Sequence, residues 1–491
     1  MLGTITDWWE KLTRPEQIAI VVPVGLALVG AIVKVIWDNA KKKAEDCPGQ
    51  TTVGDSQKVE KIQAKTVTAM QDSVIDRSKR EAGGPYIEHL TVNVAEGGKF
   101  ELTLPAIDYQ DGVSESPVPK VRELFEVGRE HVKKGEFREA IGVFEACLGF
   151  EKDNEKRGAI YIQTGNCYYR LRRYQEAGRF YSDGLEEAQK AGDIEGQGSA
   201  LGSIANTFML RPAADGATRG NNVREAVKCY KKALKFFSRD EYPVDYATTQ
   251  NNLGNAYTDL PSATAEERAK NVRSAIACFK AALEIYAKDE YPVDYAMTQN
   301  NLANAYTDLL SATSDERAGN VRSAIACYKA ALEIYKKDEY PVQYAGTQNN
   351  LGLALTYLPS ATAEERAKNV RKAIACYKAA LEIYKKDAYP VDYAMTQNNL
   401  GSAYTDLPSA TAEERAGNVR SAIACYKVAL EIRKKYEYPQ YYCQTAANLG
   451  IALADIDKTK ACYWLKEAYA LREFLPDQGK GLVELIEKVC E

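Results

Sequence analysis

The chain has 491 residues, with 64 Lys and Arg against 68 Asp and Glu, a net charge of −4 and only 2 His. That balance excludes the usual nucleic-acid binder, which carries a strongly basic face. With only His89 and His131 present, chemistry that needs clustered imidazoles has little material.

Ile18 to Trp37 reads IAIVVPVGLALVGAIVKVIW. At about 1.5 Å per residue such a stretch spans a bilayer core. Trp8, Trp9 and Trp37 flank it as interfacial aromatics do, and Lys34 can snorkel to one end. A cleaved signal peptide fits less well, because Asp7, Glu10 and Glu16 precede the span and no small-residue cleavage site follows. The sequence therefore predicts residues 1–17 as an N-terminal segment and 18–37 as a transmembrane helix. Lys11 and Arg14 precede the span, whereas Lys34, Lys41, Lys42 and Lys43 lie at or beyond its far end. This excess puts the rest of the chain on the cytoplasmic side of a cell membrane.

Residues 38–83 read as a polar linker and a candidate oligomerisation segment. Val59, Ile62, Val67, Met70, Val74 and Ile75 suit either an amphipathic helix or short strands. Within 84–119, Tyr86 to Val94 and Lys99 to Leu104 alternate around Ala95-Glu96-Gly97-Gly98, which predicts a β-hairpin. A Pro-containing linker follows from 105.

Beyond it the chain repeats. Cys229, Cys278, Cys327, Cys376 and Cys425 are 49 residues apart, and Pro243, Pro292, Pro341, Pro390 and Pro439 keep the same step. A fixed period of this size marks a solenoid, whose units bury their apolar faces only against neighbours. Equivalent cysteines on successive units form a row of packing thiols, with no bridged framework and no CxxC motif, which suits a reducing compartment. In the unit from Tyr291, Pro292 can open a helix carrying Leu302, Ala305 and Tyr306 as far as Leu309. The spacing then predicts a second helix from about Asn320 to Lys336. Thr264-Ala265-Glu266-Glu267 fits a capping box that adds a turn inside the equivalent loop.

Leu253, Gly254 and Tyr257, followed by Ala275, Phe279, Ala282 and Pro292, resemble the tetratricopeptide repeat family. Gln250 departs from that family's bulky first position, and its ~34-residue unit is enlarged at two loops. Such elongated units with a QNNLGNAY-like signature look like those of bacterial and archaeal signalling and defence proteins. Shorter units resembling the motif surround Gly128 and Phe144, Gly165 and Tyr181, Ala205 and Tyr230, and Gly450 and Leu465. The resemblance implies an all-α fold, a right-handed α-solenoid of about eight helix pairs over 120–475, with 476–491 supplying a capping helix.

In that family the first helices line a concave groove. Carried onto this sequence, the groove-facing residues are Asn251, Asn255, Thr258 and Asp259, then Asn300, Asn304 and Asp308, then Asn349 and Asn398. A side-chain amide both donates and accepts, so a row of them suits the backbone of an extended peptide. The competing reading is that one Asn of each pair bonds between units, with Asn252 and its equivalents turned toward the neighbour. Arg268 and its neighbours, balanced by Glu266 and Glu267, read as a solvated face. No phosphate-binding Gly-rich loop, GxSxG or HExxH motif occurs, so neither an enzyme nor a cofactor is expected. The leading expectation is a membrane-anchored adaptor that binds a partner protein or extended peptide. The alternative is a self-assembling homo-oligomeric membrane scaffold.

Overall fold

The computed structural model describes residues 112–309, 313–475 and 479–490, together with the backbone of 89–93 and 99–103. The expected membrane span at 18–37 and the segment 38–83 lie outside the described residues. Among the described residues, no helix is long and apolar enough to cross a membrane.

Strands β1 (His89–Asn93) and β2 (Lys99–Thr103) pair antiparallel, with His89 opposite Thr103 and Asn93 opposite Lys99. The described chain then runs through seventeen α-helices. The first three pairs are α1 (Pro119–Lys134) with α2 (Phe137–Phe150), α3 (Asn154–Arg170) with α4 (Tyr174–Ala191), and α5 (Ile194–Leu210) with α6 (Gly216–Ala233). The 49-residue units supply α7 (Pro243–Thr258) with α8 (Ala265–Leu283), α9 (Pro292–Asp308) with α10 (Ser314–Ile334), α11 (Pro341–Tyr357) with α12 (Ala363–Ile383), and α13 (Pro390–Asp406) with α14 (Ala412–Ile432). The eighth pair is α15 (Pro439–Leu453) with α16 (Lys458–Tyr469), and α17 (Lys480–Cys490) follows.

Local chemistry sets these limits. Each first helix of a long unit opens on Pro, whose missing N–H is no loss in a first turn. Each second helix opens on Thr. Thr264, Thr313, Thr362 and Thr411 accept from the amides of Glu267, Glu316, Glu365 and Glu414 at 3.1–3.2 Å. The carboxylates of Glu267, Glu365 and Glu414 reach back to the amides of Ala263, Ala361 and Ala410. This box is the true helix start. Accordingly α10 begins at Ser314, about a turn and a half before the expected Asn320, and ends at Ile334.

Packing follows the motif. Phe279, Tyr328 and Tyr377 are buried between the helices of their pairs. Gly254 lets α7 approach α8, because a Cβ there would come within 2.6 Å of the Phe279 ring. Phe279 also clusters with Leu302 and Ala305 of the next unit, so no unit closes its core alone. Tyr242, Tyr291, Tyr340 and Tyr389 of four inter-unit turns pack back on Phe237, Tyr286, Tyr335 and Tyr384, with ring centroids 5.7–5.8 Å apart. Successive first helices (α5, α7, α9, α11, α13, α15) also contact one another directly from unit to unit. Strand β2 runs beside α7 and α9.

The five periodic cysteines are free thiols. Burial pushes Cys278 up to about 12, and Cys327, Cys376 and Cys425 up to about 11, so they are packing residues with little thiolate. Cys462 and Cys490 depart from the expectation of unbridged cysteines. They form a disulfide that fastens α17 to α16 across 28 residues, a pairing no spacing motif announces.

Candidate peptide-binding groove

The first helices of four consecutive long units bound a groove of about 840 Å3. Helix α7 contributes Asn255 and Thr258, with Asp259 at its end. Helix α9 contributes Asn301, Asn304, Thr307 and Asp308, α11 contributes Gly346, Asn349, Asn350 and Leu353, and α13 contributes Met395. Tyr328 and Tyr384, from the second-helix side, also reach the wall, and the loop from Leu260 to Thr264, with Arg219 and Arg268 near the starts of second helices, completes it. This is large enough for several residues of an extended chain.

Six of the residues expected from sequence lie on this wall: Asn255, Thr258, Asp259, Asn304, Asp308 and Asn349. The other three, Asn251, Asn300 and Asn398, do not line it. They are joints between units. Asn251 is fully buried, and its Oδ1 accepts from Thr298 Oγ1 and Asn301 Nδ2 of the next unit, both at 3.3 Å. Asn252 turns the other way and donates to Asn206 Oδ1 of the preceding unit at 3.4 Å. Asn300 accepts from Thr347 Oγ1 at 3.2 Å, and Asn398 accepts from Asn448 Nδ2 at 3.4 Å. Both members of a pair therefore work between units, one forward and one backward. Buried amides must find partners, and here each finds the amide or hydroxyl of a sister unit.

Some wall residues share that duty. Asn304 Oδ1 accepts from Tyr328 Oη at 2.6 Å and from Asn350 Nδ2 at 3.2 Å. Asn349 donates to Asn350 Oδ1 and accepts from Asn399 Nδ2, each at 3.2 Å. Thr258 and Thr307 bond to carbonyls of their own helices, those of Asn255 and Asn304, and Thr307 also meets the Tyr328 hydroxyl within its own pair. They add groove surface without joining units.

Sequence reasoning missed one set. Arg219 pairs with Asp259 at 2.7 Å, and Arg268 and Arg366 pair with Asp308 and Asp406 at 2.9 Å. The same guanidinium groups donate to the carbonyls of Met209, Thr258 and Thr356. These arginines tie the start of a second helix to the ends of two first helices, and they are not simply a solvated face. The missed signal was a constant 40-residue separation between Arg and Asp that recurs with the 49-residue step.

The described chain is a tetratricopeptide-like helical repeat solenoid. No family model matches it. Human G-protein-signaling modulator 1 is 32% identical over 89 residues, which is 18% of this chain and 13% of that protein. Xenopus laevis outer dynein arm-docking complex subunit 4 is 33% identical over 86 residues, 18% of this chain and 16% of that one. The chain thus spans less than a fifth of the length of these curated relatives. Among solved structures, the Pyrococcus horikoshii STAND signal-transduction ATPase with a tetratricopeptide repeat sensor aligns at 15% identity and TM-score 0.45, over 65% of this chain and 44% of that one. A Rap protein complexed with competence and sporulation factor aligns at 14% identity and TM-score 0.42, over 76% and 98%. Similarity at this level adds nothing to the site, which stands on the distances above.

Proposed function

We propose that this protein is a membrane-anchored adaptor that performs no chemistry of its own and binds an extended segment of a partner protein along its first-helix groove. The observation that carries the reading is the 840 Å3 groove, walled by amides and threonines of four consecutive first helices, by the loop after α7, and by Arg–Asp pairs that reach in from second helices. Such a wall offers donors and acceptors to a peptide backbone while its Arg–Asp pairs cancel net charge. The tether is residues 18–37, and the Lys excess on its far side argues for a cytoplasmic solenoid. The scaffold alternative rests on 38–83, which lies outside the described residues.

Thr258→Arg with Thr307→Arg would fill the groove without touching an inter-unit bond; it removes the contact of Thr307 with Tyr328 inside one pair, so a loss of about 1 kcal/mol in stability is expected. Affinity purification of full-length chain from its native cells, with quantitative mass spectrometry, reads the effect. A partner recovered by wild type and by an outer-face control, Arg273→Glu with Ala277→Arg, should disappear with the groove variant. Equal recovery by all three overturns the groove.

A further inference from the structure

Near-identical units allow each groove position to be compared with its sisters, and α11 breaks the pattern. Gly346 stands where α7, α9 and α13 carry Thr248, Met297 and Met395. Leu353 replaces Asn255, Asn304 and Ser402, and Tyr357 replaces Asp259, Asp308 and Asp406. Gln343 replaces Asp245, Asp294 and Asp392. Positions 343, 346, 353 and 357 fall on one helical stripe. The second helices α8, α10, α12 and α14 stay nearly unchanged. A fifth change, Leu355 for Tyr257, Tyr306 and Tyr404, lies on the opposite side of the helix. Four of the five changes therefore share the face that carries Gly346 and Leu353 on the groove wall.

Three structural consequences follow. In α9, Met297 is fully buried in a cluster with Tyr335; at Gly346 that side chain is missing, and even a Cβ would stand 3.2 Å from the Tyr384 hydroxyl. Gly346, Leu353, Tyr384 and Met395 form one apolar part of the wall, and Leu260, Pro261 and Ala263 of the loop after α7, with Ala265 at the start of α8, form another. One turn earlier, the Gln343 Oε1 is buried without a hydrogen-bond partner. At the far end, Tyr357 is 64% exposed, and Arg317, in register with Arg268 and Arg366, makes no ion pair among the described residues.

We propose that α11 is the specificity subsite of the groove. The space between Gly346, Leu353, Tyr384 and Met395 takes one aromatic or branched aliphatic side chain of an extended peptide. An Asp or Glu of the same peptide supplies Arg317 with the carboxylate that its sister arginines find within the chain. The charge argument selects an acidic, apolar-anchored peptide as the occupant. From Gly346 to Tyr357 the helix rises about 16 Å, the reach of about five extended residues, which sets the spacing between anchor and acid.

This inference rests on the groove reading, and the test separates the two. A phage-displayed random dodecapeptide library is panned on the full 491-residue chain in mild detergent, and enriched peptides are synthesised for fluorescence anisotropy. The informative variant, Gly346→Met with Leu353→Asn and Tyr357→Asp, installs residues that the sister units already fold with, and since Tyr384 must shift slightly for the new Cβ its melting temperature is measured beside the binding. Enriched peptides should carry an aromatic or branched aliphatic residue about five positions from an acid, and the variant should bind them about 30-fold more weakly, as expected for losing one buried side chain and one charge contact. Arg317→Glu should reverse the preference from acid to Lys at that peptide position. Binding by the triple variant within about twofold of wild type, or enrichment without the anchor–acid pattern, overturns the subsite. If such peptides still lose binding to Thr258→Arg with Thr307→Arg, the groove stands while the subsite falls; if no peptide depends on that groove variant, both fall.

Discussion

Phe279→Ala is expected to destabilise the long units by about 3–5 kcal/mol, the usual effect of emptying a large aromatic site in a packed core. Phe279 is fully buried between α7 and α8 and touches Leu302 and Ala305 across the next joint, so the cavity would weaken two interfaces. In a solenoid stability adds over neighbouring interfaces, and the loss should stay local. Hydrogen exchange followed by mass spectrometry should show faster exchange through α7, α8 and α9, with α1–α4 unchanged. Uniform acceleration over all the helices would instead mean a single cooperative core.

Asn251→Ala is the second. It removes the acceptor used by both the Thr298 hydroxyl and the Asn301 amide, deep in the joint between α7 and α9. Leaving buried donors unpaired costs about 1–3 kcal/mol each, so a total of about 2–6 kcal/mol is expected. Adding Asn301→Ala should cost clearly less than the sum of the two single changes, because the second substitution removes an orphaned group. Denaturant melts of the four proteins in this cycle measure it. Strict additivity would mean that Asn251 does not join the units, and would return it to the groove as a ligand-facing amide.

The repeat itself was legible because Pro, Thr, Gly and aromatic positions each encode one local requirement and recur at a fixed step. The Thr-x-x-Glu box was legible as an extra turn in the loop, but the residues between it and Asn320 lack an apolar stripe, so the continuity of that turn with the second helix was not. The asparagine pairs were ambiguous for a physical reason. An amide is equally satisfied by a peptide backbone or by a sister amide, and only the distance between adjacent first helices decides. Arg268 read as solvated because its near neighbours Glu266 and Glu267 offered charge balance, whereas its partner Asp308 lies 40 residues away. The Cys462–Cys490 bridge depends on how α17 folds back on α16, which spacing alone does not determine. The odd face of α11 was visible in the sequence all along, and acquired meaning when Gly346 and Leu353 proved to share a groove wall.

Photo-crosslinking from single sites tests most directly whether that wall is where the partner binds. A benzophenone amino acid replaces Leu353 on the groove wall in one protein and Ala277 on the exposed outer face of α8 in another, each expressed as the full chain in native cells. If the groove is the docking face, irradiation should join a partner polypeptide to position 353 and not to 277, with the linked peptide mapping to an acidic segment bearing an apolar residue. Crosslinking from 277 with none from 353 would contradict it.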